Sequence, residues 1–516
     1  MRLLVQNLTR LGDLLQSQPA LAELAEAGHM IALACLENFA GAARLLPEVG
    51  QVFPLPGAQL LAGLDRDWHG ALARVGAFTD RITREFAPEA VVNLTSSVAA
   101  RLLAKRLCGE AVQGFGLDAL GFRQETTLWA VFLEASSANR GVSPFNIVDL
   151  FRKAAGGGNG PGRFALVRPE QAALDHARDG FRTQVAGAAG YVGLQLGASA
   201  AIRQWPVASF AWLGDWLWRT RRLAPVLLGG PGETGLAEQY RSAAREPFVD
   251  LVGRTGLPEL AAAVANLELL VTNDTGTLHL AAGLDVPSVA LFFATAQPFD
   301  TGPYRPGCLC LEPDLDCHPC PFRVPCPREN ACLRAIAPET VAAAVADFCD
   351  TGTFRPRAYP GARAWLSGFD AAGFMDLRSL SGHDREPRAV WLHLQRQVLR
   401  RFLDGDDPLA VPASGEAAPE ALRDALTTSL VQSADLLRLL SGQAGLLARS
   451  PAMKGRFLAT WDRLQRLWLA SPHLAVLGHL WLRQAQDPGR DLSALLARID
   501  RYAGCVAAFS RLLDHA

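Results

Sequence analysis

Four short constellations in the 516-residue chain combine chemically capable residue types with the turns that would expose them. In the first, the run Arg2 to Leu8 is followed by Thr9-Arg10-Leu11-Gly12-Asp13-Leu14-Leu15-Gln16, a glycine turn with an acid at the start of a helix. Asp13 would stand at the carboxyl end of a first parallel strand, where open α/β sheets place their ligands. A carboxylate beside the positive end of a helix stays ionised, and it can accept a proton from a hydroxyl that is becoming a nucleophile. Asp13 also reads as a helix N-cap with Gln16 completing a capping box, and the two readings are compatible. In the second constellation the apolar run Leu269 to Val271 enters Thr272-Asn273-Asp274-Thr275-Gly276-Thr277-Leu278-His279. Backbone N–H groups at Thr275 to Thr277 would face an anion there, and Gly276 permits the close approach of a phosphate. His279, one turn into that helix, could donate to a phosphate oxygen, although a histidine here also reads as a satisfied core residue. Asp274 also reads as a turn residue.

The third constellation ends an apolar strand in small polar residues and then offers one cation, Gly197-Ala198-Ser199-Ala200-Ala201-Ile202-Arg203. Ser199 and Arg203 could hold a diphosphate, with Arg203 offsetting charge that grows on a leaving group. A lone arginine is also commonly solvated surface. The fourth, Leu227-Leu228-Gly229-Gly230-Pro231-Gly232-Glu233, follows a strand with a turn and an acid able to accept from ribose hydroxyls. Gly-Gly-Pro-Gly is equally a plain sharp turn.

Positioning these groups requires alternating strands and helices, and the pattern supplies them. Arg2 to Leu8, Met30 to Cys35, Val49 to Leu55 and Ala90 to Leu94 read as strands, with helices over Leu14 to Ala27 and Ser97 to Leu107. Such alternation predicts a parallel sheet wrapped by helices, because parallel neighbours need a crossover. A second series has strands at Tyr191 to Leu196, Pro225 to Leu228, Phe248 to Leu251, Leu267 to Thr272 and Ser288 to Phe293, apolar as expected of strands covered on both faces. Between the series, Gly156 to Gly162 reads as a loop near a domain junction. After about residue 350 the strand pattern stops, and Arg355 to Pro387 reads as an irregular connector. Trp391, Leu394, Val398 and Phe402 then share a helical face, as do Leu492, Leu495, Ile499, Tyr502, Val506 and Phe509. With breaks at Ser450-Pro451, Ser471-Pro472 and Asp487-Pro488-Gly489, the tail predicts about five short helices in a bundle. The expected division is therefore 1–185 and 186–350 for two Rossmann-like domains, 351–387 for a connector and 388–516 for an all-α bundle.

Lys plus Arg number 50 against 51 Asp plus Glu, a net charge of −1, which argues against a nucleic-acid-binding chain. Hydrophobic residues make up 49% and charged residues 20%, so cores can form and disorder of the whole chain is excluded. The longest apolar runs are far too short to span a membrane, and Met1 to Leu15 lacks the uninterrupted core of a signal peptide. The expected location is the cytoplasm. Ten cysteines in that setting read as thiols or metal ligands rather than a disulfide framework. Cys317, Cys320, Cys326 and Cys332 could form a four-thiolate structural zinc site, though the later spacings depart from a standard ribbon and unliganded thiols are the competing reading.

These four motifs in this order resemble glycosyltransferase family 9, the ADP-heptose:lipopolysaccharide heptosyltransferases, over roughly residues 1–350. The most specific pieces are Arg10-Leu11-Gly12-Asp13 followed by Pro19-Ala20-Leu21, and Asn273-Asp274-Thr275-Gly276 with His279. The resemblance implies a GT-B architecture, two Rossmann-like domains across a cleft, and inverting, metal-independent transfer of a sugar, heptose from ADP-heptose, to a hydroxyl of a lipopolysaccharide-core-like or other glycan. It implies Asp13 as general base, Arg203 at the donor phosphates, Glu233 at the ribose and Asp274 near the donor sugar. Thr275, Gly276 and His279 match the diphosphate-binding helix start, with Thr277 and Ser199 beside it. No cofactor is required beyond the nucleotide-sugar. Expected partners are that donor and a glycan or lipid-linked acceptor, with peripheral contact to the cytoplasmic face of the inner membrane through the acceptor. The tail has no counterpart in the usual family domain and offers an oligomer or partner contact. A GT-B epimerase and a catalytically silent glycan- or nucleotide-sugar-binding scaffold are the alternatives.

Overall fold

A computed structural model describes residues 1–138, 143–412, 417–447, 451–485 and 492–515. The chain divides into two compact units, Met1–Ala119 with Asn146–Ser381, and Leu120–Phe145 with Gly382–Ala516. In the first unit, β1 (Arg2–Asn7), β2 (Met30–Leu36), β3 (Val49–Leu55), β4 (Ala90–Asn93) and β5 (Val112–Leu117) are parallel, in the order β3-β2-β1-β4-β5. A short strand, β6 (Arg123–Glu125), falls within the second unit. The first unit continues with β7 (Gly190–Gln195), β8 (Leu223–Leu228), β9 (Val249–Asp250), β10 (Leu269–Asn273), β11 (Ser288–Leu291) and β12 (Leu309–Pro313), parallel in the order β9-β8-β7-β10-β11-β12. Both orders are those of doubly wound folds, and in each the connection reverses between the first and fourth strands, which opens a crevice at their carboxyl ends. Continuous burial from Gly190 to Gln195 and from Leu223 to Leu228 reflects helices on both faces of the sheet.

Two expectations need correction. The stretch 351–387 is not an irregular connector, because β13 (Ala362–Phe369) and β14 (Met375–Ser379) form a hairpin that extends the second sheet antiparallel from β12. Its Gly and polar residues belong to the turn, where Gly373 takes φ +82° and the Asp370 N–H donates to the Phe374 carbonyl at 2.9 Å. Burial of Ala362, Ala364 and Trp365 supplies the strand signal that the flanking Arg and Pro obscured. The expected 1–185 domain is likewise not continuous, since 120–145 groups with the C-terminal unit and both sheets share the other.

The Gly156 to Gly162 loop closes over a buried ionic network. Asp149 is fully buried, and its Oδ1 accepts from the Tyr304 hydroxyl at 2.7 Å and from Arg152 Nη1 at 3.2 Å. Its Oδ2 accepts from the Met375 N–H at 2.9 Å, which anchors the hairpin. Arg152 Nε donates to Glu23 Oε1 at 2.6 Å, and its Nη2 donates to the Gly160 carbonyl at 2.7 Å. A Cβ on Gly162 would fall 2.7 Å from Arg152 Cδ, so the backbone can lie across the guanidinium only because that residue has none.

In the second unit, helices Pro387–Asp404, Glu420–Ala444, Pro451–Ala470, Ala475–Ala485 and Leu492–His515 accompany Leu128–Ala138. Trp468, Trp481 and Tyr502 are fully buried, with Trp468 Nε1 donating to Ser433 Oγ at 2.8 Å. Trp129 Nε1 donates to Asp404 Oδ1 at 2.8 Å, which ties the 120–145 segment into the unit. Ser471-Pro472 separates two helices as its composition suggests. The breaks at Ser450-Pro451 and Asp487-Pro488-Gly489 lie outside the described residues, Pro451 excepted. Among the described residues no helix is long and apolar enough to cross a membrane.

Asp149→Ala leaves the Arg152 guanidinium buried against one carboxylate instead of two. We expect a loss of about 3 kcal/mol in the unfolding free energy of the first unit, read by denaturant titration, with a far smaller loss for the exposed control Asp80→Ala.

Candidate functional site

The turn after β1 is built by Asn7, whose Oδ1 accepts from the Thr9 N–H at 3.3 Å while its Nδ2 donates to the Asp13 carbonyl at 3.1 Å. This local closure starts the helix Leu11–Gln16, whose N-cap is Arg10 and not Asp13. The capping-box reading is therefore corrected: Asp13 is the third helical residue and Gln16 is buried at the helix end, so the Asp13 carboxylate is not consumed as a cap. It sits half-buried in the first turn. That turn packs directly on the start of the helix Gly276–Gly283 from the second sheet. A Cβ on Gly12 would lie 3.0 Å from His279 Cδ2, and one on Gly276 would lie 3.2 Å from Leu11 Cδ2. Paired glycines allow the two turns to meet.

Across the reversal between β7 and β10, the second sheet gathers its polar residues. Asn273 ends β10, accepts the Trp205 N–H on Oδ1 at 2.9 Å and donates to the Leu196 and Gly197 carbonyls at 3.1 Å each. Arg203 follows in a short 3-10 turn. Its Nε donates to Thr295 Oγ1 at 2.9 Å, Nη1 reaches Ser199 Oγ at 3.5 Å, and Nη1 lies 3.8 Å from Asp274 Oδ2. Thr275 caps the helix Gly276–Gly283 without a side-chain cap hydrogen bond, so the helix start presents backbone rather than side-chain chemistry. Thr277 Oγ1 donates to Gln195 Oε1 at 2.9 Å, and Gln195 Nε2 donates to Glu233 Oε2 at 3.2 Å. Glu233 Oε2 also accepts the Gly230 N–H at 2.8 Å. An ideal Cβ on Gly197 would fall 1.5 Å from Glu233 Oε1, so this glycine is what lets the carboxylate lie across the strand end. Ser199, Arg203, Glu233, Asp274, Thr275 and Thr277 thus converge on one sheet edge, joined by Asp13 through the glycine contact.

His279 is fully buried beneath that contact, and burial pushes its pKa down from 6.5 to about 3. It is a neutral imidazole in the folded protein. Sequence reasoning missed Gln195 and Thr295; the one available signal was a glutamine closing the otherwise apolar strand β7.

The cysteine loop packs against the Thr295 segment. The Cys320 N–H donates to the Ala294 carbonyl at 2.8 Å, and His318 Nε2 lies 3.0 Å from the Ala296 carbonyl oxygen. His318 Nδ1 lies 3.3 Å from Glu312 Oε2, both side chains being buried. Phe322 stands 5.8 Å from the Arg203 guanidinium carbon. Burial first, then the neighbouring Cys332, Cys317 and Cys326, raise the Cys320 thiol. The four cysteines are neighbours, yet among the described residues no three of their sulfurs converge within reach of one ion.

Residues 147–331 match the family model for glycosyltransferase family 9 (heptosyltransferase). Lipooligosaccharide heptosyltransferase 2 of Haemophilus influenzae is 30% identical over 141 residues, 26% of this chain and 40% of the relative. Lipopolysaccharide heptosyltransferase 3 of Escherichia coli is 31% identical over 129 residues, 24% of this chain and 35% of the relative. The chain thus spans well under two thirds of the length of these curated relatives. Among solved structures, the family 9 glycosyltransferase from Veillonella parvula aligns at TM-score 0.56 and 20% identity, covering 67% of this chain and 96% of that one. The E. coli ADP-heptose LPS heptosyltransferase II aligns at 0.51 and 16%, covering 68% and 99%. These last two establish the fold.

Neutral His279 sets a pH dependence. The unfolded chain takes up a proton below about 6.5 that the folded chain refuses until about 3, so stability is lost as pH falls through that window. We expect about 2 kcal/mol more loss between pH 7.5 and 5 for the native chain than for His279→Gln, measured by denaturant titration at each pH. Over residues 147–331 the chain is thus similar to glycosyltransferase family 9 (heptosyltransferase), whose family model it matches there, and the curated relatives above are heptosyltransferases.

Proposed function

We propose that this chain is an inverting glycosyltransferase that moves heptose from ADP-heptose to a hydroxyl of a lipopolysaccharide-core-like glycan. The observation that carries this reading is the packing of the Gly12 turn on Gly276 and His279, which sets a carboxylate and an anion-receiving helix start at one crevice. Asp13 accepts the proton of the acceptor hydroxyl as that oxygen forms its bond to the anomeric carbon. The bond from that carbon to the diphosphate breaks on the opposite face, which inverts the centre without a covalent sugar on the protein. Negative charge growing on the diphosphate is received by Arg203, held by Thr295 and Asp274, and by the N–H groups that open the helix Gly276–Gly283. Glu233, braced by Gln195 and Gly230, accepts from the ribose hydroxyls, while Ser199 and Thr277 line the phosphate path. Asp274 stands near the donor sugar and aligns the Arg203 fork. Neutral His279 supports the helix start, its imidazole able to donate without adding charge. In this reading the phosphate charge falls to protein groups and no catalytic metal takes part. The acceptor is met at the cytoplasmic face of the inner membrane.

Asp13→Asn is expected to retain ADP binding while turnover falls by on the order of 10²-fold or more. Undiminished heptose transfer by that variant would remove the base assignment. Arg203→Ala should weaken ADP binding about tenfold or more by calorimetry, and unchanged affinity would contradict its role.

A further inference from the structure

The helical unit contains a cavity of about 130 Å³ that the transferase reading does not use. Three arginines from three elements line it: Arg123 of β6, Arg483 of the helix Ala475–Ala485 and Arg498 of the helix Leu492–His515. Leu128 and Val131 form its apolar wall, and Glu125 is the carboxylate in the lining. Glu134, with its side chain 9% exposed, receives two of the cations through a single oxygen. Arg123 Nη1 lies 3.2 Å and Arg483 Nη1 3.0 Å from its Oε1. Arg498 Nη1 donates instead to the Gln484 carbonyl at 2.6 Å, at the negative end of a helix. The lining itself thus carries three guanidiniums and one carboxylate, with Glu134 paired to two of the cations beside it.

We propose that this cavity binds a phosphate group, either the free ion or a phosphomonoester on a sugar. Each guanidinium is engaged through Nη1, and a guanidinium carries further N–H donors that a single such contact does not use. Three forks suit the three terminal oxygens of a phosphomonoester better than the two of a carboxylate. The volume admits one such group and not a nucleotide, and the apolar wall lowers the local dielectric and strengthens the attraction. This site is independent of the transferase reading, since none of its residues belongs to that machinery.

The test is calorimetric titration of the full chain with inorganic phosphate, run on the native sequence, Arg203→Ala, Arg498→Ala and Leu128→Trp. Binding is expected to persist in Arg203→Ala, to weaken about tenfold or more in Arg498→Ala, and to vanish in Leu128→Trp, which fills the cavity while keeping every charge. If Arg498→Ala fails to fold, Arg498→Lys replaces it, with weakened binding expected because the point charge lacks the fork. Absence of saturable phosphate binding by the native chain overturns the proposal. So does binding that is lost in Arg203→Ala yet unchanged in Leu128→Trp. Glucose 6-phosphate, titrated in parallel, separates the sources: affinity at least equal to that of inorganic phosphate assigns the site to a sugar phosphate, and exclusion assigns it to the free ion.

Discussion

Backbone contact between Gly12 and the start of the helix Gly276–Gly283 fixes how the two sheets of the first unit meet. Any side chain at Gly12 would press on His279, and any at Gly276 would press on Leu11, so the two sheets approach through backbone. Close approach of backbone, with no side chains between, keeps Asp13 near the polar turn that opens the facing helix. The helix supplies partial positive charge where its first N–H groups point. Burial under this contact holds the pKa of His279 low and its imidazole neutral.

Several polar residues at the crevice are braced by residues outside the proposed machinery. Asn273 stitches the β7 and β10 ends together through three backbone groups, and Gln195 bridges Thr277 to Glu233. Thr295 accepts from Arg203, and its segment is in turn held by the Cys320 N–H and the His318 imidazole. The cysteine loop thus acts on the site as a brace, with Phe322 against the arginine, whatever the state of its thiols. A second brace, the Glu23, Arg152, Asp149 and Tyr304 network, joins the first sheet's helices to the β14 hairpin. Its charges are buried and paired with one another, so breaking one member costs far more than the network as a whole contributes.

The two units differ in what holds them. Parallel strands covered on both faces hold the first, with polar chemistry confined to strand ends. Indole and phenol packing holds the helical unit, in which Trp468, Trp481 and Tyr502 meet at ring distances of 4.9 to 5.5 Å. Four of its elements meet around the arginine cavity.

The sequence by itself determined the four motifs, the strand-and-helix alternation and the polar residues at each strand end, because apolar runs and glycine turns are local signals. Only the tertiary structure decided that Asp13 is a helical residue rather than a cap, since Arg10 begins that helix, a matter of backbone angles. It also decided that residues 362–379 are a hairpin, because an edge strand is recognised by the partner it pairs with, here β12. The assignment of 120–145 to the helical unit and the bracing by Gln195 and Thr295 were equally illegible. Each rests on contacts between residues far apart in the chain, and long-range packing leaves no periodic trace in a sequence.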